Sequence, residues 1–273
     1  MINKEAPIGV FDSGVGGLTV AREIMRQLPN EKIVYFGDTA RVPYGNKSKD
    51  TIVKYSSQII RFLQTKDVKA IVIACNTASA YALEEVKEKV SIPVIGVVKP
   101  GAKMATETTK NNRIGVIGTE GTIRSQIYGD YIHEFNPDAI VIGKACPLFV
   151  PLVEEELLHD SVTDEIASRY LECFKRENID TLILGCTHYP LLRSTVGRIM
   201  GEQVTLINPA YETAMSLKEL MTKKDMLNPT PKCDDREMYQ FFVSDMAEKF
   251  SHFANSILPF DVDMTKLINI EAF

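Results

Sequence analysis

Two short apolar runs constrain this chain more than any other feature. Ala70-Ile71-Val72-Ile73-Ala74 stops at Cys75 and is followed by Asn76-Thr77, while Thr181-Leu182-Ile183-Leu184-Gly185 stops at Cys186 and is followed by Thr187-His188. Each run is too short for a free-standing helix and rich in branched residues, so it reads as a buried parallel strand. In open α/β folds ligands gather at the carboxyl ends of such strands. The two thiols therefore stand at equivalent site mouths.

The order of elements around the first run recurs around the second. Strands are expected at residues 7–11, 32–38, 70–74 and 92–98, and again at 113–118, 139–143, 181–185 and 204–207. Gly9 and Gly115 lie 106 residues apart, Ile33 and Ile140 107, Cys75 and Cys186 111, and Pro100 and Pro209 109. A near-constant offset across four elements marks an internal repeat. The expected fold is α/β, with two similar, pseudo-twofold-related lobes, mostly parallel sheets and the active site in the cleft between them.

Between the strands, helices are expected to about Gln27, from an Asp50 N-cap to about Thr65, from Ala78 to Lys89, from Glu120-Gly121-Thr122 to about Phe135, and from Tyr211 to Lys223;. Ser161 and Asp164 suggest a capping box for a further helix to about Lys175. Lys99-Pro100-Gly101 closes the fourth strand. Beyond a polar linker with Pro229 and Pro231, a last strand at 239–243 and a helix at 245–257 need a sheet edge to join.

Composition narrows the function class. The chain has 273 residues, 45% hydrophobic and 25% charged, with a formal net charge of −5. That is an ordinary globular chain with an ample core and no basic footprint for nucleic acid as the main ligand. No segment approaches the ~18 apolar residues of a membrane span, and the start lacks a leader pattern, so a cytoplasmic protein is expected. Its five cysteines are scattered without CxxC spacing, which favours reduced thiols over disulfides or zinc;. Cys146, Cys173 and Cys233 read as small buried hydrophobes.

A pair of thiols at matched positions has a chemical use that single ones lack. Inverting a stereocentre that bears hydrogen needs a base on one face and an acid on the other, and two equal groups suffice. A thiol with a pKa of ~8.5 can serve as either after a modest shift. Both cysteines precede an expected helix, whose dipole favours thiolate. His188 and Asp12 could move protons onto and off the sulfurs, with capping or packing as their plainer roles. Ser13, Asn76, Thr77, Thr119 and Thr187 add neutral donors for carboxylates and for enolate-like charge.

The glycine-rich turn Asp12-Ser13-Gly14-Val15-Gly16-Gly17 enters the first helix, and its amides could face an anion, a ligand carboxylate as readily as a phosphate. A tight turn capped by Asp12 or Ser13 is the alternative. Tyr44, in the Pro43-Tyr44-Gly45 loop, can direct a hydroxyl into the same cleft. Of Glu154-Glu155-Glu156, three acids that ordinarily form a solvated face, Glu154 alone is a candidate to turn inward.

Phe11-Asp12-Ser13-Gly14-Val15-Gly16-Gly17, Pro43-Tyr44-Gly45, Ala74-Cys75-Asn76-Thr77-Ala78 and Leu184-Gly185-Cys186-Thr187-His188-Tyr189-Pro190 together resemble the glutamate racemase branch of the aspartate/glutamate racemase family. The resemblance spans almost the whole chain in order. It implies a cofactor-independent enzyme that supplies D-glutamate for peptidoglycan, with glutamate as substrate and a homodimer as the usual assembly. It implies further that Cys75 deprotonates D-glutamate and Cys186 L-glutamate. Asp12, Glu154 and His188 would assist proton transfer, with Asp38 as a weaker candidate. Asp12, Ser13, Tyr44, Gly45, Asn76, Thr77, Thr187 and His188 would bind substrate.

The family also implies that the C-terminal strand and helix return to the first lobe. The first lobe would then span 1–98 plus 210–273 and the second 99–209. Asn208-Pro209-Ala210-Tyr211-Glu212 departs from the small polar pair of many members. Rival readings are a racemase for aspartate or another acidic amino acid, a Cys186/His188 nucleophile enzyme, which leaves Cys75 without a role, and a non-catalytic two-lobed binder of small anions.

Overall fold

The computed structural model describes residues 3–231 and 234–273, so Cys233 lies outside the described residues. The first half of the chain forms β1 (Ile8–Asp12), α1 (Leu18–Gln27), β2 (Ile33–Gly37), a 3-10 turn at Thr39–Arg41, α2 (Lys49–Gln64), β3 (Ala70–Ile73), α3 (Asn76–Lys87), β4 (Val94–Gly96) and α4 (Val98–Thr108). The second contributes β5 (Arg113–Gly118), α5 (Glu120–Arg124), α6 (Ile127–Phe135), β6 (Ile140–Ala145), α7 (Phe149–Glu154), α8 (Ser161–Arg176) and β7 (Thr181–Gly185). A 3-10 turn at Tyr189–Leu192, α9 (Arg193–Met200), β8 (Thr205–Ile207) and α10 (Pro209–Lys223) complete it. The chain ends with α11 (Asp235–Met238), β9 (Tyr239–Val243), α12 (Ala247–Ile257), β10 (Thr265–Leu267) and a 3-10 turn at Ile270–Ala272.

These strands build two sheets of the same plan. One has the order β10-β9-β2-β1-β3-β4 and the other β6-β5-β7-β8, so the quartet β2-β1-β3-β4 is repeated by β6-β5-β7-β8. Every pairing between these strands is parallel. The central strands β1, β3 and β7 are buried along their whole length, as continuous apolar runs require when helices cover both faces;. The late strand β9 finds its edge on β2, from Ile33 opposite Tyr239 to Gly37 opposite Val243, and β10 adds outside it.

The helices supply the covering layers. Phe36, Ile59, Phe62, Ala78 and Leu83 form the core between the first sheet and α2 and α3. On its other face Val10, Leu18, Ile24 and Phe250 belong to a cluster that continues without a break into Phe149, Leu171, Leu184 and Val196 of the second sheet's outer layer. A third cluster, with Ala102, Val116, Tyr128, Ile132 and Ile183, lies under α4 and α6. The continuous middle cluster ties the two halves together at the end where the glycine-rich turn meets the second cysteine.

Local structure departs from the sequence reading at four places. Ser48, not Asp50, caps α2, its hydroxyl accepting from the Thr51 amide. Asp160 caps α8 by accepting from the Val162 amide, while Asp164 is drawn off the capping box by Arg198 at 2.5 Å. The helix expected up to Phe135 breaks at Gln126, whose φ of 58° is left-handed;. The fourth strand is only Val94–Gly96, and Lys99-Pro100-Gly101 lies inside α4. Pro100 is tolerated there because first-turn amides have no partner within the helix.

Candidate active site

Strand β3 delivers Cys75 at the N-cap of α3, where its sulfur accepts from the Ala78 amide at 3.4 Å. The side chain is 6% exposed. Burial, with the nearby Asp12 carboxylate adding to it, pushes this thiol up to about 12 against the hydrogen bonds from Ala78 and Ser13, and the Cys186 sulfur is near enough to contribute. The helix position alone therefore does not make a thiolate here, contrary to the sequence expectation. The dipole is outweighed by loss of water around a charge that has no cation beside it.

Asp12 is fully buried at the end of β1. Its Oδ2 accepts from the amides of Gly14 and Gly17, each at 3.0 Å, so the glycine-rich turn spends these donors on its own carboxylate and not on a ligand anion. Its Oδ1 has no hydrogen-bond partner. Burial raises this carboxyl above its usual range, against the His188 charge and the turn amides. An unpaired acceptor beside a buried thiol is suited to a cationic group or a proton. The glycines are demanded by close approach: a Cβ at Gly17 would stand 2.4 Å from the Asp12 Cβ, and one at Gly16 2.5 Å from the His188 ring.

Cys186 ends β7 and is as deeply buried as Cys75, but its neighbours differ. No long helix starts there. A 3-10 turn, Tyr189–Leu192 with Pro190 as its second residue, follows, and α9 begins only at Arg193. In place of a helix terminus there is a relay: the Cys186 sulfur lies 3.9 Å from His188 Nδ1, and His188 Nε2 lies 3.1 Å from Glu154 Oε1. Burial alone would lower the imidazole, but hydrogen bonds and charge from Cys186 and Glu154 raise it to about 10. At neutral pH the ring is an imidazolium donating to both. Glu154 is held below its usual range chiefly by His188, and it alone of the three acids faces inward while Glu155 and Glu156 are exposed.

The remaining candidates gather at the seam between the halves. Thr77 Oγ1 lies 2.8 Å from Thr119 Oγ1 and 3.2 Å from Thr122 Oγ1. The Gly121 amide donates to the Gly45 carbonyl at 2.7 Å, and a Cβ at Gly45 would meet Thr119 at 2.7 Å. Thr19 Oγ1 donates to the Thr187 carbonyl at 2.9 Å. Asn76 and Thr187 are buried beside their cysteines. The Tyr44 hydroxyl, read from sequence as pointing into the cleft, donates instead to Asp38. Asp38 also binds Arg41 at 2.7 Å and Ser244 at 2.8 Å, so its carboxylate anchors the Tyr44-Gly45 loop.

Sequence reasoning missed Arg41, which stacks on Tyr55 at 4.0 Å as it grips Asp38, and Tyr128, whose hydroxyl donates to Asn76. Neither stands in a motif that advertises itself. Cys146 and Cys173 bond only to the carbonyls of Lys144 and Tyr170, as packing thiols do. Among the described residues no group of three or more His, Cys, Asp or Glu is placed to hold a metal ion, and no helix is long and apolar enough to cross a membrane.

The arrangement is one of two buried thiols from matched strand ends, each with its own titratable neighbour. Known proteins resemble this chain in both sequence and fold. The family model described as Asp/Glu/Hydantoin racemase matches residues 8–217. A glutamate racemase of Geobacter metallireducens is 47% identical, with 97% of each chain covered, and one of Oceanobacillus iheyensis is 47% identical over 92% of this chain and 90% of its own. Among solved structures, a glutamate racemase isoform from Bacillus anthracis superposes with a TM-score of 0.92 at 42% identity, covering 98% of both chains. The Francisella tularensis enzyme in complex with D-glutamate gives 0.91 at 39% identity, over 99% of this chain and all of the other. On full-length likeness in sequence and in fold, the chain belongs to the Asp/Glu/Hydantoin racemase family.

Proposed function

We propose that the protein is a glutamate racemase that interconverts L- and D-glutamate by two-base proton transfer between Cys75 and Cys186, without a cofactor. The observation that carries this reading is the pair of cysteines at equivalent ends of β3 and β7, each with a separate proton partner. Asp12 serves Cys75, and His188 with Glu154 serves Cys186. Ser13, Tyr44, Gly45, Asn76, Thr77, Thr119, Thr187 and His188 hold the substrate, with Gly45 rather than the engaged Tyr44 hydroxyl presented by its loop.

On this reading, substrate binding turns a thiol held near 12 into a base. Burial and the Asp12 charge hold the Cys75 thiol up, and the substrate's α-ammonium is a cation that would oppose both. That cation lowers the cost of the thiolate only when there is an α-proton to remove, and the thiol's own proton passes to the unpaired Asp12 Oδ1;. Cys75 takes that proton from D-glutamate and Cys186 returns one to the opposite face, assisted by the imidazolium of His188. For L-glutamate the roles reverse. Each turnover leaves one thiol and one thiolate exchanged between sites, so the total proton count is unchanged.

The role is the supply of D-glutamate to peptidoglycan by a cytoplasmic enzyme, assembled as a homodimer. The two halves divide as 1–98 plus 210–273 and 99–209, a division supported by the return of β9 to β2. An aspartate racemase is the nearest rival, but a Picrophilus torridus aspartate racemase shares only 18% identity, a likeness of fold alone. Circular dichroism of each enantiomer of glutamate and of aspartate decides between them. Loss of signal toward zero from either glutamate enantiomer, with solvent deuterium entering the α-carbon, is the expected result. Turnover of aspartate alone would give the rival, and turnover of neither would leave a small-anion binder.

A further inference from the structure

The Asn76 amide, next to Cys75, is held from across the cleft. The Tyr128 hydroxyl, reaching from the first turn of α6, donates to Asn76 Oδ1 at 2.7 Å, and the bond is buried. The same ring lies against the second cysteine motif: a Cβ at Gly185 would stand 3.1 Å from Tyr128 Cε2. One tyrosine therefore touches the residue after Cys75 and the residue before Cys186. Its approach is set by the left-handed Gln126, which breaks α5 from α6 and re-aims the second helix.

An asparagine side chain has two ends that are hard to tell apart by shape, and it can rotate to offer either. The phenol is the donor here, because the amide oxygen Oδ1 that it meets can only accept;, and burial with the Cys186 charge keeps the proton on the phenol. A donor fixed on Oδ1 forces Nδ2, with its two N–H groups, to be the end left for other partners. We propose that Tyr128 is a positioning residue for the reaction: it fixes the Asn76 amide so that Nδ2 is presented to a substrate carboxylate, and through the ring's contact at Gly185 it keeps that donor in register with Cys186. The proposal rests on the reading of Asn76 as a substrate-binding residue.

Tyr128→Phe keeps the ring against Gly185 and removes only the hydroxyl. In the full chain it should raise KM for both glutamate enantiomers roughly three- to tenfold while kcat stays within about twofold, the size expected for one hydrogen bond that pre-orders a binding group. Asn76→Ala should raise KM further, and the double variant should be no worse than Asn76→Ala alone, because the hydroxyl acts through Asn76. Additive losses, or a Tyr128→Phe enzyme with unchanged constants, would overturn the proposal. An Asn76→Ala enzyme with unchanged KM would instead remove the substrate-binding reading on which it rests. A readout independent of turnover is the Asn76 side-chain amide pair in 15N-labelled protein, assigned by its loss in Asn76→Ala. These resonances should move in Tyr128→Phe at unchanged melting temperature, and their staying put would refute the contact itself.

Discussion

Cys75 and Cys186 occupy the same position in repeated strand quartets, yet their surroundings solve the same problem by different means. Cys75 caps a twelve-residue helix, accepts from a backbone amide, and has an acid, Asp12, as neighbour. Cys186 precedes a short 3-10 turn and has a cation, His188, anchored by Glu154. Burial and the neighbouring Asp12 thus favour the thiol at the first site, while the second sulfur has an imidazole beside it. A repeated fold supplies matched positions, while the neighbours of each sulfur differ in the sign of their charge.

The sharpest way to break the comparison is to remove each sulfur. Serine at Cys75 or at Cys186 should lower racemisation by at least about 10³-fold, since a hydroxyl is a poor base and neither remaining group can invert the centre alone. Circular dichroism with purified glutamate enantiomers measures it. Comparable activity in either variant would mean that one site suffices.

The partners should come next, with losses of about 10- to 10³-fold in kcat for Asp12→Asn and for His188→Asn. Because mirror-image substrates are equal in free energy, kcat/KM must fall together in both directions. The asymmetry is therefore expected in the deuterium isotope effect at the α-carbon. His188→Asn should enlarge it mainly for the enantiomer that Cys186 deprotonates, and Asp12→Asn mainly for the other. Equal isotope effects from both enantiomers in both variants would erase the distinction between the sites.

A smaller effect should appear in stability against pH. His188 rises from 6.5 to about 10 on folding, so its contribution is fully present below about pH 6.5 and is lost as pH climbs through about 10;. The melting temperature of the native protein should exceed that of His188→Asn most near pH 6, with the gap closing toward pH 10. A gap that widens with pH would reverse the assigned charge.

Least affected should be the scaffold that the two halves share. Ser48→Ala on α2 and Asp160→Ala on α8 each delete one capping acceptor and should cost about 1 kcal/mol with no change in kcat;. Urea unfolding and the same optical assay would show it. A change in turnover from either would mean that helix ends far from the sulfurs steer the cleft.

The sequence made the strand ends and the repeat legible because buried parallel strands are continuous apolar runs, and a cysteine ending two of them in register stands out. Asn76 and His188 were legible for the same reason, because they adjoin those ends, and Asp12 because it closes another strand of the same kind, β1. Charge environment was not, since the level of Cys75 depends on burial and on an acid 63 positions earlier in the chain. Nor were Arg41 and Tyr128, whose roles exist only through partners on other elements. The capping assignments slipped by one or two positions because Ser48 and Asp50, like Asp160 and Ser161, are equally good caps by type. The break at Gln126 left no mark, as a glutamine at positive φ is chosen by packing rather than by propensity;.

The pairing of β9 with β2 also imposes an order in time. About 200 residues separate the end of β2 from the start of β9. At synthesis rates of roughly 5–20 residues per second, the β2 edge emerges some 10–40 s before its partner exists. The whole second quartet is made within that interval and can close on itself, whereas the first sheet waits with Ile33 to Gly37 unpaired on one side;. A nascent chain stalled before residue 239 would expose that edge to any extended peptide, which makes the arrival of β9 the step that renders the β2 edge safe from aggregation.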